Sequence, residues 1–241
     1  MRVGIIVIGN EVLSGKVEDI NSTWLMAQFR ELGAKVARVA IVPDEIPVIA
    51  EELRRFADLF DVVITTGGVG PTHDDLTFAA VAQAFGREME HNTVLEKVIR
   101  GYIRDEIGPG YLRMAMLPVG TDLIFAGELP FPITRVENVY VMPGEPSVLR
   151  KKFSAIRESF REAPFHLRRL YTRLDEGHLA DMLDQLQRDH AAVEIGSYPV
   201  YGNPDYQTQI TIESKERAAT EAAFAALVEL VPADTVWRRD A

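Results

Sequence analysis

Thr65-Thr66-Gly67-Gly68-Val69-Gly70-Pro71-Thr72-His73-Asp74-Asp75-Leu76-Thr77 follows an apolar run, Val62-Val63-Ile64, and precedes a helical pattern through Ala79, Ala80, Val81, Ala84 and Phe85. Three glycines therefore stand between a strand end and a helix start, where backbone N–H groups are free to hold an anion. Glycine alone serves a tight turn, but Gly67, Gly68 and Gly70 followed by Pro71, Thr72 and two acids are denser than a turn requires. The spacing is not a dinucleotide fingerprint, because His73 stands three residues after Gly70. Asp74 and Asp75 suit a hard divalent cation, Mg²⁺, Mn²⁺ or Co²⁺, that bridges to phosphate oxygens. The competing reading is that one of them, Asp75 above all, caps the following helix. Together the stretch points to a phosphate-ester or nucleotide site, with Gly67, Gly68, Gly70, Pro71, Thr72 and Thr77 around the ligand.

Working outward, strand and helix signals alternate up to about residue 162. Val3–Ile8, Val36–Val42, Asp61–Thr66 and Asn138–Met142 read as strands. Helices are expected from an Asn21 N-cap to Gly33, over Pro47–Phe60, Leu76–Phe85, Asn92–Glu106 and Glu145–Arg161. Between the last two lie short apolar pieces, Met114–Leu117 and Leu123–Phe125. This order predicts an α/β, three-layer, mostly parallel sheet covered by helices on both faces. Ligands bind such sheets at the carboxyl ends of the strands. The loops expected there add Gly9, Asn10 and Glu11, then Asp44, then Pro143 and Gly144. Gly9-Asn10-Glu11-Val12-Leu13-Ser14-Gly15-Lys16 fails as a P-loop, with one residue too many between its glycines and Val17 where Ser or Thr belongs. Asp44 reads equally as a helix N-cap and as a site carboxylate.

Near Ala163-Pro164 the pattern changes to β-α-β-β-α-β, a small α+β domain with no visible chemistry of its own. The expected domains are 1–163 and 164–241. The chain has 241 residues, a net charge of −10 and no cysteine. Disulfides, thiolate nucleophiles and Cys-ligated zinc are thereby excluded, and a long nucleic acid is disfavoured as a partner. No run is long enough to span a bilayer and no signal peptide is visible, so no membrane partner and a cytoplasmic location are expected. The five histidines show no ligand spacing, and only His73 falls in the candidate site.

Thr66–Thr77 resembles the signature of the MoaB/Mog molybdopterin-binding fold. The likeness extends through Gly9–Gly15, Asp19-Ile20-Asn21-Ser22, Val42-Pro43-Asp44-Glu45 and Met142-Pro143-Gly144-Glu145-Pro146. Within that superfamily the chain is similar to the CinA branch and more so to the N-terminal domain of eukaryotic FAD synthase. Glu194-Ile195-Gly196-Ser197-Tyr198-Pro199 carries the likeness into the second domain. The resemblance implies one of two metal-dependent reactions. One is hydrolysis of the pyrophosphate in ADP-ribose-, FAD- or similar dinucleotides. The other is adenylyl transfer to molybdopterin, in which the acids matching Asp44 and Asp75 are catalytic. It implies a small phosphorylated nucleotide or pterin as ligand. The adjacent carboxylates themselves point to Asp74 and Asp75 as metal ligands. The small domain, without visible chemistry, reads as an oligomer or scaffold element, so a homo-oligomer is expected. Three departures are visible. Gly127-Glu128-Leu129-Pro130-Phe131-Pro132 replaces the Gly-Thr-Ala-Pro-Gly of many bacterial CinA sequences. Thr72-His73-Asp74 replaces the adenylyltransferases' paired arginines, which speaks against adenylylation. The sequence stops before an amidase or FAD-synthesising domain, so neither of those activities is expected. A non-enzymatic pterin- or nucleotide-binding module is the third reading.

Overall fold

The computed structural model describes residues 1–103 and 107–240, which divide into two compact units, Met1–Glu162 and Ala163–Ala241. In the first, β1 (Arg2–Ile8) leads through α1 (Asn10–Leu13) and α2 (Ile20–Glu31) to β2 (Lys35–Val42). Next come α3 (Ile46–Leu59), β3 (Val62–Thr66) and α4 (Thr77–Ala84). An excursion follows: β4 (Met89–His91), α5 (Thr93–Tyr102), α6 (Pro109–Arg113), β5 (Met116–Pro118) and β6 (Asp122–Ile124). The unit closes with β7 (Ile133–Val136), β8 (Val139–Met142) and α7 (Pro146–Ile156).

Six strands form one sheet in the order β2-β1-β3-β8-β7-β6. β2, β1, β3 and β8 pair in parallel, and β7 and β6 join antiparallel at one edge. Strand alternation divides the core in two. Ile6, Ile8, Val63 and Val141 face α3 and α4, while Val3, Ile5, Ile64 and Met142 face α2 and α7. On the second face Trp24, Phe29, Phe153 and Phe160 pack ring to ring, with centroids 5.1 to 5.8 Å apart. From β1 the chain crosses to β2 on one side and then to β3 on the other, so the order reverses between β1 and β3. The loop after β3 and the loop after β1 meet at that switch point, the usual crevice for a ligand.

The second unit holds β9 (His166–Thr172), α8 (Glu176–Asp189), β10 (Glu194–Pro199), β11 (Thr208–Ser214), α9 (Arg217–Leu230) and β12 (Val236–Asp240). Its four strands form an antiparallel sheet in the order β10-β11-β9-β12 over its own core of Leu170, Leu179, Ile210, Ile212 and Phe224. Among the described residues no helix is long and apolar enough to cross a membrane.

Three local expectations change. Asn21 does not cap α2: Asp19 does, with its carboxylate accepting from Ser22 N–H at 2.9 Å. The helix expected to run from Asn92 to Glu106 is α5, capped by the Asn92 side chain and extending to Tyr102, and residues 104–106 lie outside the described residues. Met114–Leu117 straddles the end of α6 and β5, and β5 forms a separate two-stranded pair with β4. Such short pieces carry too few residues for periodicity to register.

Candidate functional site

The glycine loop is built by its own acid. Asp75 does not cap α4, whose N-cap is Leu76 without a side-chain bond. Its carboxylate turns back instead, accepting from Gly70 N–H at 2.6 Å, Thr72 N–H at 2.7 Å and the Thr72 hydroxyl at 2.5 Å. Gly67 donates to Met142 C=O at 3.2 Å, and Thr77, fully buried, donates its hydroxyl to Gly67 C=O at 2.8 Å. Thr77 therefore shapes the loop from beneath and is not part of the cavity lining. Among the described residues the N–H groups of Gly68 and Val69 have no hydrogen-bond partner. Two consecutive free donors in a loop with left-handed glycines have the backbone geometry of a nest, which can take an anion.

The neighbouring loops are fastened to this one. Asn21, on the first turn of α2, donates its amide N–H to Thr66 Oγ1 at 3.1 Å and to Gly144 C=O at 2.7 Å. The Thr66 hydroxyl in turn donates to Pro143 C=O at 3.1 Å. Gly144 approaches so closely that a Cβ there would lie 3.3 Å from Gly67 Cα. Asp44 is likewise no cap: its carboxylate accepts from Asn10 N–H at 2.8 Å and so anchors the start of α1. Glu145 caps α7, accepting from Ser147 Oγ and Val148 N–H at 2.7 Å each. Those bonds, the serine hydroxyl first, hold its carboxyl below the usual range.

A cavity of about 400 Å³ opens beside the loop. Of the residues expected at the site, Glu11, Gly67, Gly68, Gly70, Asp75, Pro143 and Gly144 line it. Gly9, Asn10, Asp44 and Asp74 do not; Asp74 lies on the outer side of the loop, its side chain 62% exposed. Pro71 lies off the lining as well, and Thr72 lines an adjoining hollow with His73 and Asp75. The Glu11 carboxylate has no hydrogen-bond partner among the described residues.

Sequence reasoning missed the rest of the wall. Phe78, Leu95, Ile99, Met114 and Phe131 make it largely apolar. Lys152 also lines it, donating to Pro132 C=O at 2.5 Å. Burial lowers the Lys152 amine to about 8, because leaving water penalises the charged form. A signal for it exists: Leu149, Lys152 and Ile156 share the inward stripe of α7.

Asp74 and Asp75 share one hydroxyl partner. Thr72 Oγ1 lies 2.5 Å from both Asp74 Oδ1 and Asp75 Oδ2. One hydroxyl has one proton and serves one of the two carboxylates at a time. The Asp74 carboxyl is held low, first by the Thr72 hydroxyl and then by its own backbone N–H. No group of three potential metal ligands occurs among the described residues. The described residues thus offer at most a pair of carboxylates, the number by which magnesium is often held when phosphate oxygens and water complete its shell.

Residues 4–161 match the family described as probable molybdopterin binding domain, and residues 164–240 match the FAD synthase middle domain. A probable FAD synthase of Caenorhabditis elegans is 30% identical over 97% of this chain. The chain spans 50% of that relative's length. An Archaeoglobus fulgidus protein is 33% identical over 82% of this chain and 86% of its own. The crystal structure of CinA from Thermoplasma acidophilum, of unknown function, superposes with a TM-score of 0.61 at 25% identity, covering 67% of this chain and all of that one.

Proposed function

The chain belongs to the molybdopterin-binding-domain family, and from that premise we propose that it is a divalent-metal-dependent hydrolase of dinucleotide pyrophosphates such as ADP-ribose or FAD. The observation that carries this reading is the closed glycine loop, with the free N–H groups of Gly68 and Val69 at the mouth of an apolar cavity. The loop binds a phosphate and the cavity takes the attached ring. In the reaction water adds to one phosphorus as the bridging P–O bond breaks, giving two phosphate monoesters. Asp75, which lines the cavity, would hold a divalent cation with Asp74 beside it, and that cation would supply charge neutralisation at the phosphate oxygens. The Gly68 and Val69 N–H groups take up the negative charge that develops on the oxygens of the attacked phosphorus. Asp75 has both oxygens engaged by the loop, which leaves Glu11 as the cavity carboxylate free to orient water.

The direct test is AMP release by purified protein from ADP-ribose, FAD, NADH and ATP with Mg²⁺, Mn²⁺ or Co²⁺. Release is expected with a dinucleotide and is lost on adding EDTA; turnover that survives EDTA refutes the metal requirement. Glu11→Gln is expected to lower kcat by about 10- to 1,000-fold with little change in KM. An unaltered kcat removes Glu11 from the mechanism.

The family and the apolar wall favour a second reading, a pterin-binding or molybdopterin adenylyltransferase role. Under it no dinucleotide is split, and molybdopterin binds or is adenylylated in the presence of ATP.

A further inference from the structure

Resting on the phosphate-site reading, we infer that Lys152 is a second anion contact in the same cavity, so that the site takes ligands with two linked phosphate groups in preference to one. Two observations carry this, and a third gives its pH dependence. First, Lys152 is a half-buried ammonium whose partner is the neutral Pro132 carbonyl, with no carboxylate among the described residues bonded to it. A cation withdrawn from water without a counter-ion leaves a charge that an anionic ligand compensates. An ammonium has three donors, and one carbonyl leaves two for an incoming group.

Second, Lys152 and the glycine loop line one cavity from different elements. Pro146 begins α7 beside the Gly144–Gly67 contact, and Lys152 lies six residues on, about 9 Å along the axis. Helical side chains lean toward the N-terminus, here toward the loop. One phosphate on Gly68 and Val69 N–H leaves Lys152 for the next phosphate along a diphosphate.

Third, the other charged groups lining the cavity are Glu11 from α1, Asp75 from the glycine loop and Glu145 at the head of α7, all of them acids. The alkaline titration among these described groups is that of Lys152, whose amine is lowered to about 8. Its charge, and with it the preference for a second phosphate, is lost as pH rises above that value.

Calorimetric titration with inorganic phosphate and inorganic pyrophosphate in EDTA tests this. Wild-type protein is expected to bind pyrophosphate about 10- to 100-fold more tightly than phosphate, the worth of one charge-assisted contact. Lys152→Met keeps the stem and fills the apolar wall. It should bring the ratio toward unity while leaving phosphate affinity within about twofold. Lys152→Arg should retain the preference and carry it from about pH 7 to about pH 10, where wild type loses it. Equal weakening of both ligands in Lys152→Met overturns the inference, because Lys152 then meets the same phosphate as the loop. An unchanged ratio overturns it as well. If wild-type protein binds neither anion in EDTA, the inference falls, and the same titration with Mg²⁺ decides the phosphate-site reading separately.

Discussion

Asp75→Asn is expected to lower dinucleotide turnover at least about 100-fold while the protein stays folded. Asparagine keeps the shape and replaces one carboxylate oxygen with an amide that donates. In the folded chain both oxygens accept, from Gly70 N–H on one side and from Thr72 N–H and hydroxyl on the other. Each carboxylate bond of this kind is worth roughly 1.5–3 kcal/mol, and an amide facing Thr72 N–H opposes donor to donor. The free N–H groups of Gly68 and Val69 then lose their fixed direction, and the proposed cation loses a ligand. Loss of one such bond should lower the thermal midpoint by roughly 3–12 °C, short of unfolding the protein. Steady-state AMP release and circular dichroism melting of the same preparation check both halves. Turnover within a few-fold of wild type would exclude Asp75 from loop closure and from catalysis alike.

Gly67→Ala is expected to damage stability and activity together. Gly67 has φ of +106°, and a Cβ built on it lies 2.1 Å from Ile8 C=O. The obstacle is backbone at the end of a central strand, which has no rotamer to change. Left-handed strain alone costs about 1–2 kcal/mol, and relief of the clash requires β1 and β3 to separate. A loss of roughly 3 kcal/mol or more should lower the midpoint by roughly 5–15 °C. Pyrophosphatase turnover should fall below detection, because Gly67 begins the loop. A midpoint equal to wild type would show that β1 does not approach Gly67 so closely.

Much of this architecture was legible. Apolar runs in β1, β3 and β8 alternate with amphipathic α3 and α7, and period and length suffice to read a parallel sheet with two covered faces. The glycine loop between β3 and α4 was legible from composition. The partners of its polar residues were not. Asp75 and Asn21 both sit where a helix cap is the economical local reading. Their actual partners, Gly70 and Thr72 for one and Thr66 and Gly144 for the other, are set by how the loops meet at the strand ends. For Asn21 those partners are 45 and 123 residues away. The apolar wall was hidden for the opposite reason. Leu95, Ile99, Met114 and Phe131 are ordinary core residues by type, and only the excursion between α4 and β7 makes them line a cavity. Lys152 was overlooked because a lysine on an exposed-looking helix is read as solvated.

The closure of the glycine loop by Asp75 also bears on how a ligand is met. Fixing the backbone of a residue costs about 1–2 kcal/mol in entropy, and residues 67 to 72 are already fixed by bonds within the protein. That ordering is completed when the chain folds, so it is not subtracted from the affinity when a phosphate arrives. Association with this part of the site should be a simple collision without a slow rearrangement. Discrimination between ligands then rests on how long each one stays.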